Sequence, residues 1–209
     1  MDTISPVGFF LQGAALGVTA AATPGPFQTF LISETLKGGW HQSLPITLAP
    51  LLTDLPIILV SLFFLDHLPD NFLKIINIFG GLFVLYLAWS AWRDWRAGPD
   101  NLDISDSETS FSNGLLKGML MNFLSPGPYI FWMLVTGPIL LSALRLSPYH
   151  ATAFLLGFYE IFIGSLAILV VIFDLTRRIG ARVVRALLFL SIVILGVFGF
   201  ILLKQGLIT

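Results

Sequence analysis

The sequence predicts an all-α membrane protein: six transmembrane helices arranged as two inverted three-helix repeats, with helices 1 and 4 broken at P-G-P motifs. Three observations predict it. The chain is 56% hydrophobic and 11% charged, with a mean hydropathy of +0.89, whereas a soluble domain carries about 25% charged residues. Its apolar residues come in runs of the length, ~20 residues, that crosses a ~30 Å hydrocarbon core. A helix-breaking tetrapeptide, Thr23-Pro24-Gly25-Pro26, returns in the second half as Ser125-Pro126-Gly127-Pro128.

The first span runs from about Pro6 to Ile32 and is interrupted at the first breaker. Met1-Asp2-Thr3 supplies no Lys or Arg ahead of it, and the run is too long for a signal-peptide core, so it is expected to be retained. A polar link, Glu34 to Ser43, leads to the second span, about Pro45 to Leu65, which contains Pro50, Asp54 and Pro56. A short turn with Asp66, His67, Pro69 and Asp70 precedes the third span, about Phe72 to Trp92. Trp89, Trp92 and Trp95 at its end read as an interfacial belt. Arg93 to Ser112 is a linker rich in Gly, Pro, Asp and Ser, a composition that suits a solvated loop. The fourth span, about Asn113 to Leu144, is broken at the second motif. The fifth, about Ala151 to Phe173, contains Glu160. A basic link, Asp174 to Arg185, leads to the sixth, about Ala186 to Leu203.

This gives a first three-span repeat over residues 1–96, a cytoplasmic acidic linker over 97–112 and a second three-span repeat over 113–209, all one integral membrane domain. Lys and Arg set the orientation. Eight of them lie on the side of links one, three and five, and three on the other, which places those links in the cytoplasm and both termini outside. The expected location is the cell membrane. Three spans per half is an odd number, so the halves enter the bilayer from opposite sides. Gly13 and Gly17 precede the first breaker as Gly114 and Gly118 precede the second, and the next span in each half carries one acid, Asp54 or Glu160. Inverted repeats with broken helices and a mid-membrane site are a transporter design.

Other classes fit poorly. The chain has no cysteine, which excludes disulfides, thiolate metal sites and dithiol relays. No basic run suggests nucleic acid. His41, His67 and His150 sit at span ends, far apart in sequence, so neither a metal site nor a cofactor is expected. No H-E-x-x-H or G-x-S-x-G motif is present, which argues against an enzyme.

An N-terminal span ending in P-G-P, a matching proline motif opening the second half, and six spans in about 200 residues resemble the LysE/RhtB-type amino-acid exporters. The segment FSNGLLKGMLMNFLSPGPYIF, residues 111–131, is similar to that family's second-half signature, with Ser125 where the family usually has Asn. Asp54 falls where its second span often has an acid. The resemblance implies export of an amino acid.

The breakers are the first candidates for the site. Two prolines around a glycine end one helical segment and start another. Thr23 and Ser125 suit N-cap positions, and Pro24 and Pro126 suit the first helical position. Each motif, Thr23, Pro24, Gly25, Pro26 and Ser125, Pro126, Gly127, Pro128, would present free amides at membrane depth, attractive to a carboxylate. Asp54 and Glu160, the acids inside spans, are expected to meet a substrate ammonium or a coupling proton, because an ionised side chain at the bilayer centre costs ~2.5–3.5 kcal/mol without a partner. Gln28, Asn122 and Tyr129 would complete the substrate site, with Thr29 and Tyr159 as further flanking groups. The expected partners are a small-molecule substrate, an amino acid foremost, and the lipid bilayer, with a homodimer as a candidate assembly. The alternatives are export of a different small solute or cation, an intramembrane enzyme and a membrane scaffold.

Overall fold

A computed structural model of the chain describes residues 5–23, 25–63, 70–97, 111–177 and 180–208. Pro24 and linker residues 98–110 lie outside the described residues. Every regular element among those described is helical.

Helix α1 (Pro6–Ala22) starts behind Ser5, whose hydroxyl oxygen accepts the Gly8 N–H at 3.3 Å. Pro6 opens the helix where a missing N–H goes unused. Helix α2 (Pro26–Gly38) follows, bent 66° from α1. It ends at Gly39, whose φ of 76° favours glycine. The single turn α3 (Trp40–Ser43) and a 3-10 turn (Leu44–Leu48) lead into α4 (Ala49–Phe63). Then come α5 (Asp70–Ala97), α6 (Phe111–Phe123), α7 (Pro126–Phe131), a π-helical turn (Trp132–Thr136), α8 (Gly137–Leu146), α9 (Pro148–Arg177) and α10 (Ala181–Ile208).

Among the described residues, four stretches are long and apolar enough to cross a membrane: Trp40–Phe63, Pro126–Leu146, Pro148–Thr176 and Arg182–Leu207. The bent pair α1 and α2 makes a fifth if counted as one span. The third span expected from sequence falls within the 28-residue α5. Large apolar side chains face outward along these helices, among them Phe63 at 84%, Leu134 at 69% and Phe200 at 67% exposure. A water-facing protein rarely exposes apolar patches on this scale; lipid is the solvent that suits them.

Two helix pairs dominate the packing, α1 along α9 and α5 along α10, while α6 packs on α4. Small residues let the backbones approach. A Cβ on Gly13 or Gly17 would collide with the α9 backbone around Phe154 and Phe158, and one on Gly157 would strike the Phe10 carbonyl. Gly81 and Gly199 meet in the same way between α5 and α10, and Gly118 of α6 sits against Ile46 and Ala49. The expected tryptophan belt is joined by arginines. Arg93 lies over Trp89 at 5.4 Å, Arg96 over Trp92 at 4.8 Å and Arg185 over Trp95 at 5.1 Å, pairings that suit a membrane–water boundary.

Candidate functional site

Helix α4 buries Thr53, Asp54, Ile57, Ile58 and Ser61. Their spacing places them on one face of the helix, the face turned to the second half of the chain. Asp54 is 3% exposed. Its Oδ1 accepts Asn122 Nδ2 at 2.8 Å; its Oδ2 accepts the Tyr159 hydroxyl at 3.0 Å and Trp132 Nε1 at 3.4 Å. Asn122 Nδ2 also donates to Thr53 Oγ1 at 2.8 Å, and the Thr53 hydroxyl donates to the Ala49 carbonyl at 2.9 Å. The carboxylate of one half is thus held by α6, the π turn and α9 of the other. Among the described residues no Lys, Arg or His pairs with it. Hydrogen bonds to an ionised group are the stronger kind and offset part of its burial, but they bring no positive charge.

Local structure explains each donor. Asn122 lies one residue before the end of α6, where Ser125-Pro126 stops the helix. The break orphans carbonyls of the last turn, and the Tyr129 hydroxyl closes one of them by donating to the Phe123 carbonyl at 3.0 Å. Ser61 Oγ donates to the Tyr129 carbonyl at 3.4 Å and ties α4 to α7. Trp132 opens the π turn. The Thr136 hydroxyl donates five residues back to the Phe131 carbonyl at 3.1 Å, and a Cβ on Gly137 would collide with the Trp132 carbonyl. Such turns are rare inside helices and concentrate at functional sites. The Trp132 ring is fixed against Phe158 at 5.3 Å and Tyr159 at 6.4 Å.

The breakers differ from one another. Ser125 is the N-cap of α7 with Pro126 at the first position, as expected, although its side chain makes no capping bond. In the first motif the expected N-cap Thr23 instead ends α1: its hydroxyl donates back to the Thr19 carbonyl at 2.7 Å, and Gly25 takes the N-cap place before Pro26. A threonine that can reach a carbonyl four residues behind satisfies its hydroxyl inside the helix it follows. Gln28 Nε2 crosses the gap to the Ala20 carbonyl at 3.1 Å, and the Thr29 hydroxyl donates to the Gly25 carbonyl at 2.9 Å. Gly127 is exposed and Pro128 half-buried.

Glu160 does not join the cluster. It is exposed, although Tyr159 beside it reaches Asp54, because adjacent residues on a helix point about 100° apart. Asp174, assigned from sequence to a link, is instead 9% exposed within α9, and its Oδ1 accepts the Trp40 N–H at 3.2 Å. Thr53 and Trp132 were not legible as site residues. The available signal was position: Thr53 adjoins the intramembrane acid, and Trp132 follows the second breaker by one turn. Among the described residues no three acidic or histidine side chains converge as a metal site would require.

The model of the LysE type translocator family matches residues 18–206, which include both breakers and every residue of the Asp54 cluster. Comparison with curated proteins and with solved structures gave no match. Members of this family are membrane transporters that export small solutes, not enzymes. With its membrane-spanning helices and this match over most of its length, the chain belongs to the LysE type translocator family.

Proposed function

We propose that the chain exports a small zwitterion, an amino acid foremost, in exchange for protons, by alternating access between two inverted three-helix repeats. Asp54 carries the reading: a carboxylate buried in a membrane-spanning helix, held by uncharged donors from the other half. A group in that setting takes up a substrate ammonium or a proton, and the two compete for it. That competition is the elementary step of an antiporter. The substrate carboxylate is assigned to the backbone amides at the breakers, around Gly25-Pro26 and Ser125-Pro126, where helices begin and the N–H groups and helix dipole favour an anion.

The packing supports the repeat. Exchanging the halves maps α1 and α2 onto α6 to α8, α4 onto α9, and α5 onto α10. The first span lies against α9 and the fourth against α4, while α5 lies against α10, as a two-fold exchange requires. The central part of α5, residues 75–92, carries no Asp, Glu, Lys or Arg, which suits a sixth span. A second reading, an organic cation as substrate, is favoured by the Trp132, Phe158 and Tyr159 rings gathered around Asp54, since ring faces attract cations.

Proteoliposomes loaded in turn with the twenty standard amino acids and with choline test both. The proposal expects efflux of at least one amino acid, accelerated by an imposed pH gradient. Efflux of choline alone would favour the second reading, and flux indifferent to the gradient would remove the antiport.

A further inference from the structure

We infer that Tyr159 is the residue through which protons reach and leave Asp54. The inference rests on the antiport reading above and adds a route to it.

The three groups bonded to Asp54 are not equivalent. Asn122 Nδ2 and Trp132 Nε1 are donors only, whereas a tyrosine hydroxyl both donates and accepts. When Asp54 is ionised, all three donate to it, as observed. When it is protonated, the new O–H needs an acceptor. Trp132 has no acceptor, Asn122 could offer its Oδ1 only by flipping its amide and breaking the Nδ2 bonds to Asp54 and Thr53, and Tyr159 can accept without moving. The Tyr159 bond falls on Oδ2 at 3.0 Å, shorter than the 3.4 Å bond from Trp132 to the same oxygen. The location agrees. The Asn122 and Trp132 bonds are buried, whereas the Tyr159 bond is part-buried and the Tyr159 side chain is half-buried beside an Asp54 only 3% exposed.

Among the described residues, Tyr129 of α7 is a further titratable group close enough to feel the Asp54 charge, and its hydroxyl donates to the Phe123 carbonyl at 3.0 Å; Glu160, the neighbour of Tyr159 on α9, is exposed. The partners from α6 and the π turn, Asn122 and Trp132, do not titrate. On release, the Asp54 Oδ2–H bond breaks and its proton passes to the Tyr159 oxygen. The proton that Tyr159 carried leaves to a water molecule on the half-buried side. Uptake is the reverse, and Tyr159 is neutral at the beginning and end of each transfer. After release, the proton received from Asp54 is the one Tyr159 donates back to Oδ2, which is the observed arrangement.

Infrared difference spectra of the purified full chain in lipid vesicles, followed after a rapid pH step, read the carboxyl C=O band that D54N removes. Y159F keeps the ring that packs on Trp132 and Phe158 and removes only the hydroxyl. The relay predicts that Y159F slows the rise of this band by about tenfold or more, and that W132F, which removes a donor but no proton acceptor from the same oxygen, slows it severalfold less. A wild-type rate in Y159F, or equal slowing in W132F, would overturn the relay and leave the antiport standing. If no Asp54-dependent band titrates at any pH, the antiport reading falls, and the relay with it.

Discussion

Asp54 is held by hydrogen bonds from Asn122 on one oxygen and from Tyr159 and Trp132 on the other. Removing Asn122 leaves Asp54 Oδ1 and Thr53 Oγ1 without a shared donor. N122A is therefore expected to destabilise the protein by about 1–3 kcal/mol, read as a lower midpoint in a thermal melt in detergent. Glu160 gives the opposite expectation. Because its side chain is exposed and does not join the Asp54 cluster, E160Q should lower transport far less than D54N in the same efflux assay. Asp54 and Asn122 were legible because polar groups in an apolar run need partners. Trp132 was not, because a tryptophan in a span reads as packing until its N–H is seen to point at an acid. The side of α9 on which Glu160 lies was not legible for a related reason. α9 is apolar nearly all round, so no stripe in its sequence says which side faces inward.

The helix starts at Pro26 and Pro126 agree with the preference of proline for the first turn of a helix. The π turn at Trp132–Thr136 was not legible, because a shift of hydrogen-bond register leaves no compositional mark. Glycine contacts were legible in part: Gly13 and Gly17 were expected at a helix contact, but their partner α9 follows from the fold. These contacts give a paired test. Gly157 meets the Phe10 carbonyl, whereas nothing lies within 4 Å of a Cβ on Gly164. G157A should destabilise by about 1–3 kcal/mol through overpacking. G164A should stabilise by about 0.5–1 kcal/mol, because alanine restricts the unfolded chain. Both are read by the same thermal melt.

For the whole molecule, composition and the two breakers were enough to make a membrane transporter legible, and the family match agrees with that reading. The meeting of Asp54 with Asn122, Trp132 and Tyr159 was not, because it depends on how helices from opposite halves dock. Orientation is separately testable, since the chain has no cysteine and a single introduced one can be labelled alone. S107C in the linker should react with a membrane-impermeant maleimide only after the cells are permeabilised, and T3C should react in intact cells.

The central claim is that Asp54 exchanges substrate for protons. It is tested most directly by efflux of whichever solute the proteoliposome panel shows to be transported, wild type against D54N, with and without an imposed pH gradient. Asparagine fills the same space but holds neither a proton nor an ammonium charge. The account predicts that wild-type efflux responds to the gradient, and that D54N, folded and inserted normally, loses about tenfold or more of it, a loss of at least ~1.4 kcal/mol of barrier lowering, with no response to the gradient. Efflux through D54N at the wild-type rate and with the wild-type response to the gradient would contradict it.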